Sequence, residues 1–215
     1  MPDDRYTEQV HGLTQETMTS EPAASVSTLS LPYTLPTSGL VVEALVSYDG
    51  IYWEDYAQDT VSQVTALMLY NPMERMVEFG AVILEQNGKQ LYFFVYCLPP
   101  GSRCLVLEKH RQPFSEEAII QCRELNIRWN YQDLKRNELD YLGFGQNLTV
   151  TNRTSQQQKH VTVWYKHYVG DKGYYLGGVA YSTHLFRLNP HEQRMLTPTY
   201  YDAGLCKIVA IKLEE

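Results

Sequence analysis

The stretch that decides the fold runs from residue 76 to residue 101 and has the sequence MVEFGAVILEQNGKQLYFFVYCLPPG. The dipeptide Asn87-Gly88 at its centre is the strongest short signal of a β-hairpin, because both residues tolerate the positive φ of a tight turn. The flanking residues are rich in Val, Ile, Phe and Tyr, which favour strands. A two-residue turn sets Gln86 opposite Lys89. The register that follows pairs Leu84 with Leu91, Val82 with Phe93, and Gly80 with Val95.

This predicted hairpin has two apolar faces. One face is aliphatic, and we expect its residues to lie in the core; they are Val82, Leu84, Leu91 and Phe93. The other face is aromatic and carries the candidate interface residues Phe79, Tyr92, Phe94 and Tyr96. A sheet with one solvated face should show polar residues on one side, so the aromatic face needs a cover. Either the rest of the chain covers it, or it is a partner-binding surface.

Outward from the hairpin, short strands separated by turn signals predict an all-β fold. Residues 40–46, 64–70, 104–107, 147–151, 160–168, 174–186, 195–197 and 207–213 are predicted strands, and 118–129 is ambiguous, with a possible helical turn at 115–117. Both halves of the chain show the same order of events. A strand ends in Asn (Asn71, Asn152), a hairpin follows, then a Pro turn that contains Leu, then a strand.

We interpret this order as two tandem antiparallel Ig-like β-sandwiches. The predicted division is a disordered, acidic Ser/Thr/Pro-rich tether over 1–37, a first sandwich over 38–112 and a second over 113–215. The chain of 215 residues has a net charge of −7, and the tether carries −4 of it, with five acidic residues against Arg5. An acidic chain is a poor candidate for binding the phosphates of nucleic acids.

The four cysteines form no Cys-x-x-Cys pair and show no zinc spacing. Cys97 and Cys104 flank the Pro-Pro-Gly turn and could face each other, although buried free thiols are the simpler expectation. We expect neither a signal peptide nor a membrane span in the chain as written. The protein is therefore predicted to be cytoplasmic, or extracytoplasmic or at the cell surface if an upstream signal or anchor is missing.

The most concentrated local signal is the segment 48–56, with four aromatic residues among acidic groups. Its candidate binding residues are Tyr48, Asp49, Tyr52, Trp53, Glu54, Asp55 and Tyr56. Aromatic rings stack on sugars and carboxylates bind hydroxyl groups, so a carbohydrate-binding module is one interpretation. A loop whose aromatic rings cap the core is the other. The ligand spacing of a calcium loop is missing.

No pattern in the sequence indicates catalysis, a cofactor or a metal site. His160 and His167 are an odd interval apart and would face opposite sides of one strand. The Gly143-Phe144-Gly145 fragment lacks the rest of a nucleotide fingerprint, and nucleophile-elbow, zincin and phosphate-loop motifs are absent. We therefore predict that the protein is not an enzyme and takes no cofactor.

The turn placement resembles the FxLYD and late-embryogenesis-abundant-like Ig-fold modules. The segments that carry this resemblance are 64–72 with 98–108, and 148–152 with 188–190. The tandem arrangement over residues 40–215 is similar to uncharacterised proteins of gram-positive gut bacteria. The resemblance implies a non-catalytic interaction or spacer protein at the bacterial cell surface. Its expected partner is a protein or a cell-envelope component, with a glycan as the alternative.

Overall fold

The computed structural model describes residues 28–55 and 59–214, which form thirteen β-strands and no helix. The all-β fold class is thereby confirmed. The strands are β1 (Tyr33–Thr34), β2 (Val41–Ile51), β3 (Thr60–Asn71), β4 (Met76–Gln86), β5 (Lys89–Leu98), β6 (Ser102–Leu107), β7 (Ile119–Asn130), β8 (Leu139–Phe144), β9 (Asn147–Asn152), β10 (Gln158–Val169), β11 (Tyr174–Leu188), β12 (Gln193–Leu196) and β13 (Cys206–Glu214). Within these residues no helix has the length and apolar character needed to cross a bilayer.

The strands form three sheets. A seven-stranded sheet has the order β1-β2-β3-β6-β11-β10-β13, and two three-stranded sheets have the orders β5-β4-β7 and β12-β9-β8. One core cluster joins side chains of β5-β4-β7 to those of β2, β3 and β6. A second cluster joins side chains of β8 and β9 to those of β10, β11 and β13. Each small sheet thus packs against a different part of the large sheet, as in a β-sandwich.

The strand order of the first half recurs in the second. β2-β3-β6 and β5-β4-β7 in the first half correspond to β8-β9-β12 and β11-β10-β13 in the second. The predicted boundary at residue 112 separates β7 from β4, its partner strand in the structure. Turn signals show where the chain reverses, but not which sheet the next strand joins. The ambiguous segment 118–129 corresponds to β7, and the possible helical turn at 115–117 does not form.

The hairpin of β4 and β5 has the predicted register. Gln86 pairs with Lys89, Leu84 with Leu91, Val82 with Phe93 and Gly80 with Val95. The four residues expected in the core, Val82, Leu84, Leu91 and Phe93, are all at most 3% exposed. Burial of an apolar face against β2, β3 and β6 reinforces the register that the turn sets, because a slip by one residue would turn this face towards solvent.

The N-terminal part of the described chain is more ordered than the predicted tether. β1 pairs with β2, Leu29 bridges to Ile119, and Leu35 is fully buried in the first core. The carboxylate of Glu124 on β7 accepts hydrogen bonds from the backbone N–H groups of Thr37 and Ser38. Residues 28–37 therefore belong to the fold, because their apolar side chains at every second position supply a strand face. The rest of the predicted tether, residues 1–27, lies outside the described residues.

The two asparagines that end a strand have matching environments. The side-chain N–H groups of Asn71 donate to the carbonyls of Arg75, Leu98 and Pro99. Those of Asn152 donate to the carbonyls of Gln156, Leu188 and Asn189. Each Oδ1 accepts from the backbone N–H two residues later, at Met73 and at Thr154, and both asparagines are fully buried. In each half, therefore, the recurring Asn is hydrogen-bonded to the recurring turn that contains Leu, and the two halves make this interaction in the same way.

The two halves join at β6 and β11, which form the one parallel strand pair in the part of the chain that the structure describes. Residues 103–105 of β6 pair with residues 174–176 of β11, and Tyr175 and Val209 of the second half lie in the first core cluster. All four cysteines are free thiols. Cys97 and Cys104 do not face each other across a strand pair, because β6 pairs with β3 and β11 rather than with β5. Burial raises the pKa of both thiols to about 11.

Candidate functional site

The two groups of residues that the sequence singled out meet at the junction of the halves. A cavity of about 390 Å³ lies there between β5, β6, β11 and the β2–β3 connection. It is lined by Glu54, Asp55, Phe94, Tyr96, Leu107, Lys109, Val179, Ala180 and Tyr181. We call this cavity the junction cleft. It combines two carboxylates of the predicted binding segment with two aromatic residues of the predicted interface face.

A second cavity of about 530 Å³ adjoins the junction cleft. Tyr96 and Ala180 line both cavities. The second cavity is lined by Phe79 and Trp164, and by charged side chains of both signs; these are Glu78, Arg128, Asp133, Lys135 and Lys212. Three residues of the aromatic face, Phe79, Phe94 and Tyr96, therefore border these two adjoining cavities, which we call the groove between the halves, and Tyr96 stays 39% exposed.

The β2–β3 connection is held over the junction by its aromatic residues. Tyr52 is 2% exposed, and its hydroxyl donates to the carbonyls of Glu108 and Lys109. The guanidinium of Arg111 lies over the Tyr52 ring at 4.4 Å and pairs with Asp55 and Asp59. Tyr52 therefore caps the first half and offers no ring face to a ligand.

Trp53 anchors the same connection to the second half. Its ring lies 3.8 Å from that of His167 on β10, centroid to centroid. Gly177 on β11 adopts a φ of +80°, and a Cβ atom there would come within 2.7 Å of the Trp53 Cβ. Only glycine fits this close approach without strain. Burial, followed by the charge of Lys166, lowers the pKa of His167 to about 4, so its imidazole is neutral near pH 7.

Glu54 bridges the two halves where the pairing of β6 with β11 ends. Its Oε1 accepts hydrogen bonds from the backbone N–H groups of Leu107 on β6 and Gly178 on β11, at 2.8 and 2.7 Å. Burial raises the pKa of the Glu54 carboxyl to about 7, although these two N–H groups and the charge of Lys166 oppose the shift. A carboxyl that titrates near neutral pH thus borders the junction cleft.

A bulge in β11 shapes the other wall of the cleft. Tyr165 pairs with Tyr181 and His167 with Leu176, so one residue of β10 lies opposite the four residues 177–180 of β11. The ammonium group of Lys166, which is fully buried, donates to the carbonyls of Gly177, Gly178 and Val179 at 3.1, 2.9 and 2.7 Å. These bonds satisfy carbonyls that the interrupted strand pairing leaves without a partner strand.

The remaining predicted site residues lie away from the cleft. Tyr48 donates to the carbonyl of Ile51, and Asp49 accepts from Ser62 and from the backbone of Gln63. The hydroxyl of Tyr92 donates to the side chain of Gln90 near the hairpin turn. Tyr56 lies outside the described residues. Of the predicted sets, the structure brings together Glu54, Asp55, Phe94 and Tyr96, and places Phe79 along the same groove.

Sequence reasoning missed the residues that β6, β10 and β11 contribute, above all Lys166 on β10 and the bulge at 177–180 on β11. A signal was present, since Gly177-Gly178 interrupts a strand pattern, and glycine inside a strand often marks a bulge or a close backbone approach. Among residues 28–55 and 59–214, no three His, Cys, Asp or Glu side chains converge as a metal centre. No family model matches the chain, and no curated protein is similar to it.

Proposed function

We propose that this chain is a non-catalytic binding protein that takes an extended polypeptide segment of a partner in the groove between its two halves. The observation that carries the proposal is the position of Tyr96, a partly exposed residue that lines two adjoining cavities, the first of them together with Phe94 and Glu54. Aromatic residues at the centre of a recess are the usual anchors of protein interfaces.

The proposal also states that the two halves on either side of the groove are copies of one domain. The repeated strand order and the matching bonds of Asn71 and Asn152 support two copies of one Ig-like sandwich of the FxLYD or late-embryogenesis-abundant-like kind. On this view the boundary between the copies falls between β7 and β8. A position at the bacterial cell surface belongs to the same proposal and follows from that resemblance.

Charge favours a polypeptide as the occupant. Glu54 and Asp55 line one cavity of the groove with Lys109, and side chains of both signs line the other. A polypeptide carries side chains of both signs and can pair with both, whereas a neutral glycan cannot. Both carboxylates of the first cavity are already bonded within the protein, to backbone N–H groups and to Arg111, which supports a binding role over an acid–base role.

A selection experiment tests this proposal. Peptides of about twelve residues selected from a random library on the full chain should lose at least tenfold in affinity on Tyr96→Ala. Phe144→Ala is the matched control, because this aromatic side chain is 84% exposed on β8, outside the groove. Selected peptides that bind Tyr96→Ala as well as the unaltered protein would contradict the proposal.

The carbohydrate-binding alternative has one observation in its favour. Glu54 and Asp55 of the segment 48–56 lie beside the rings of Phe94 and Tyr96, which is a combination that suits a sugar. Tyr52 is buried and the Trp53 ring packs against His167, so Tyr96 would have to supply the stacking ring. Binding on a glycan array that is lost in Tyr96→Ala and kept in Phe144→Ala would favour this alternative over a polypeptide.

A further inference from the structure

The outer face of the second half carries a cluster of donor atoms that the groove does not use. His160 and His184 lie on the neighbouring strands β10 and β11, with Nε2 of His160 and Nδ1 of His184 3.1 Å apart. The hydroxyl oxygen of Thr162 is 3.2 Å from that Nδ1 and 3.5 Å from that Nε2. The three atoms form a nearly equilateral triangle. Cross-strand pairing explains the arrangement, since Thr162 is directly opposite His184.

We propose that this triangle is a binding site for one divalent transition-metal ion of the Zn²⁺ class, with His160 and His184 as its ligands. Two nitrogens that each lie about 2.0–2.1 Å from a tetrahedral zinc ion are about 3.3 Å apart. The observed 3.1 Å is within a small side-chain adjustment of that value. Imidazole is a preferred ligand of zinc and copper, and the Thr162 oxygen offers a weaker third donor.

The surroundings of His160 fix its ring in the form that a metal requires. Nδ1 of His160 lies 3.0 Å from a carboxylate oxygen of Glu214 on β13. When Nδ1–H donates to this carboxylate, Nε2 carries the free lone pair and faces His184. A carboxylate on the far nitrogen is the common outer partner of a metal-bound histidine. The ring of Phe186 stacks on His160 at 4.6 Å with an interplanar angle of 2°, which restricts its rotation.

The site is open to ions from solvent, because His184 is exposed and His160 is partly exposed. An ion there would link β10 to β11 directly, and to β13 through Glu214. The odd interval between His160 and His167 excludes that pair from one site. The actual pair is His160 with a histidine of the neighbouring strand, which a single-strand pattern does not reveal.

Calorimetric titration of the full chain with Zn²⁺ at pH 7.5 tests the proposal, with Cu²⁺ as a second probe. We expect one bound ion per chain, and a loss of affinity of at least tenfold in His160→Ala and in His184→Ala. Glu214→Gln should weaken binding by about 10- to 100-fold, as the loss of an outer partner usually does. His191→Ala is the matched control, because this exposed histidine lies in the turn after β11.

Two outcomes would overturn the site. One is the absence of saturable binding up to about 1 mM Zn²⁺, and the other is binding that His160→Ala leaves unchanged. Circular dichroism of each variant separates loss of a ligand from loss of the fold. Tyr96→Ala should bind the ion as the unaltered protein does, because the proposed metal site includes no residue of the groove. The test of the metal site can therefore fail or succeed independently of peptide binding.

Discussion

At the scale of single residues, the buried amides of Asn71 and Asn152 hold together a strand end and a distant turn. Each amide donates to three carbonyls and accepts from one backbone N–H, so both its NH₂ group and its oxygen are hydrogen-bonded. An aspartate has the same shape but no N–H to donate, so its carboxylate would face three carbonyl oxygens. A buried group without its partners costs about 1–3 kcal/mol, and a buried charge costs more.

We therefore expect Asn71→Asp and Asn152→Asp each to lower the free energy of unfolding by about 3 kcal/mol or more at pH 7. Urea unfolding followed by circular dichroism measures this change. Asn137→Asp is the control, because this exposed asparagine lies between β7 and β8. Equal effects at the two buried sites would support their equivalence, and a loss below about 1 kcal/mol at either would contradict the role given to the amide.

Glu54 and His167 predict opposite dependences of stability on pH. Folding raises the pKa of Glu54 from 4.5 to about 7, so the folded state binds this proton more tightly than the unfolded state. The contribution of Glu54 to the free energy of unfolding therefore falls as pH rises from 4.5 to about 7. Folding lowers the pKa of His167 from 6.5 to about 4, so its contribution to the free energy of unfolding is lost as pH falls from 6.5 to about 4. The two effects oppose each other between about pH 4.5 and pH 6.5.

Glu54→Gln removes the titrating carboxyl, so the contribution of His167 to the pH dependence of stability is no longer opposed. The side-chain oxygen of Gln can still accept hydrogen bonds from the backbone N–H groups of Leu107 and Gly178. We expect the free energy of unfolding of Glu54→Gln to rise with pH from 4.5 to 6.5 more steeply than that of the unaltered protein. Urea unfolding at several pH values checks this slope. Glu116→Gln, at an exposed position, should keep the slope of the unaltered protein. Parallel slopes in Glu54→Gln and the unaltered protein would show that folding does not raise the pKa of Glu54.

At the scale of the elements, β11 is the strand on which the junction depends. Its bulge at 177–180 approaches β5 so closely that a Cβ atom on Gly178 would overlap the carbonyl oxygen of Phe94. The backbone N–H of the same glycine donates to Glu54. Gly178 thus fixes the distance between the two halves and with it the width of the junction cleft.

Gly178→Ala should consequently destabilise the protein by about 2 kcal/mol or more, because the backbone of β5 or β11 must move. Thermal unfolding measures the loss, and Gly170→Ala is the control, since an added Cβ there meets no atom within 4 Å. If both alanine variants unfold like the unaltered protein, β5 and β11 are not in the close contact that shapes the cleft.

The hairpin of β4 and β5 was predictable residue by residue, because a two-residue turn sets a register that local sequence encodes. The strands β1 and β8 were not predicted, since β1 is only two residues long and follows Pro32, and β8 carries Asp140 and Gly143 among its apolar residues. The parallel pairing of β6 with β11 was equally out of reach, because it joins residues about 70 positions apart with no turn between them. Phe94 and Tyr96 were identified as surface candidates, but their meeting with Glu54 depends on that pairing.

At the scale of the whole molecule, the two halves share one sheet and one core cluster. Tyr175, Val209 and Ala210 of the second half lie in the same core cluster as Leu84 of the first half. One sheet of seven strands crosses the junction, and Glu54 and Trp53 bind the β2–β3 connection to β11 and β10. Opening the junction would expose these apolar side chains and unpair β6 from β11. The two halves are therefore expected to unfold together, in one cooperative transition.

Leu84 and Leu185 provide the test, because each lies in a different core and is at most 2% exposed. Leu84→Ala and Leu185→Ala should each cost about 2–5 kcal/mol, and each should lower the single melting temperature by roughly 5–15 °C. Differential scanning calorimetry checks this, with Leu142→Ala as the control because Leu142 is 72% exposed on β8. A second transition that appears in only one variant would mean that the halves unfold separately. The groove between them could then open and close, and its width would depend on the partner rather than on β11.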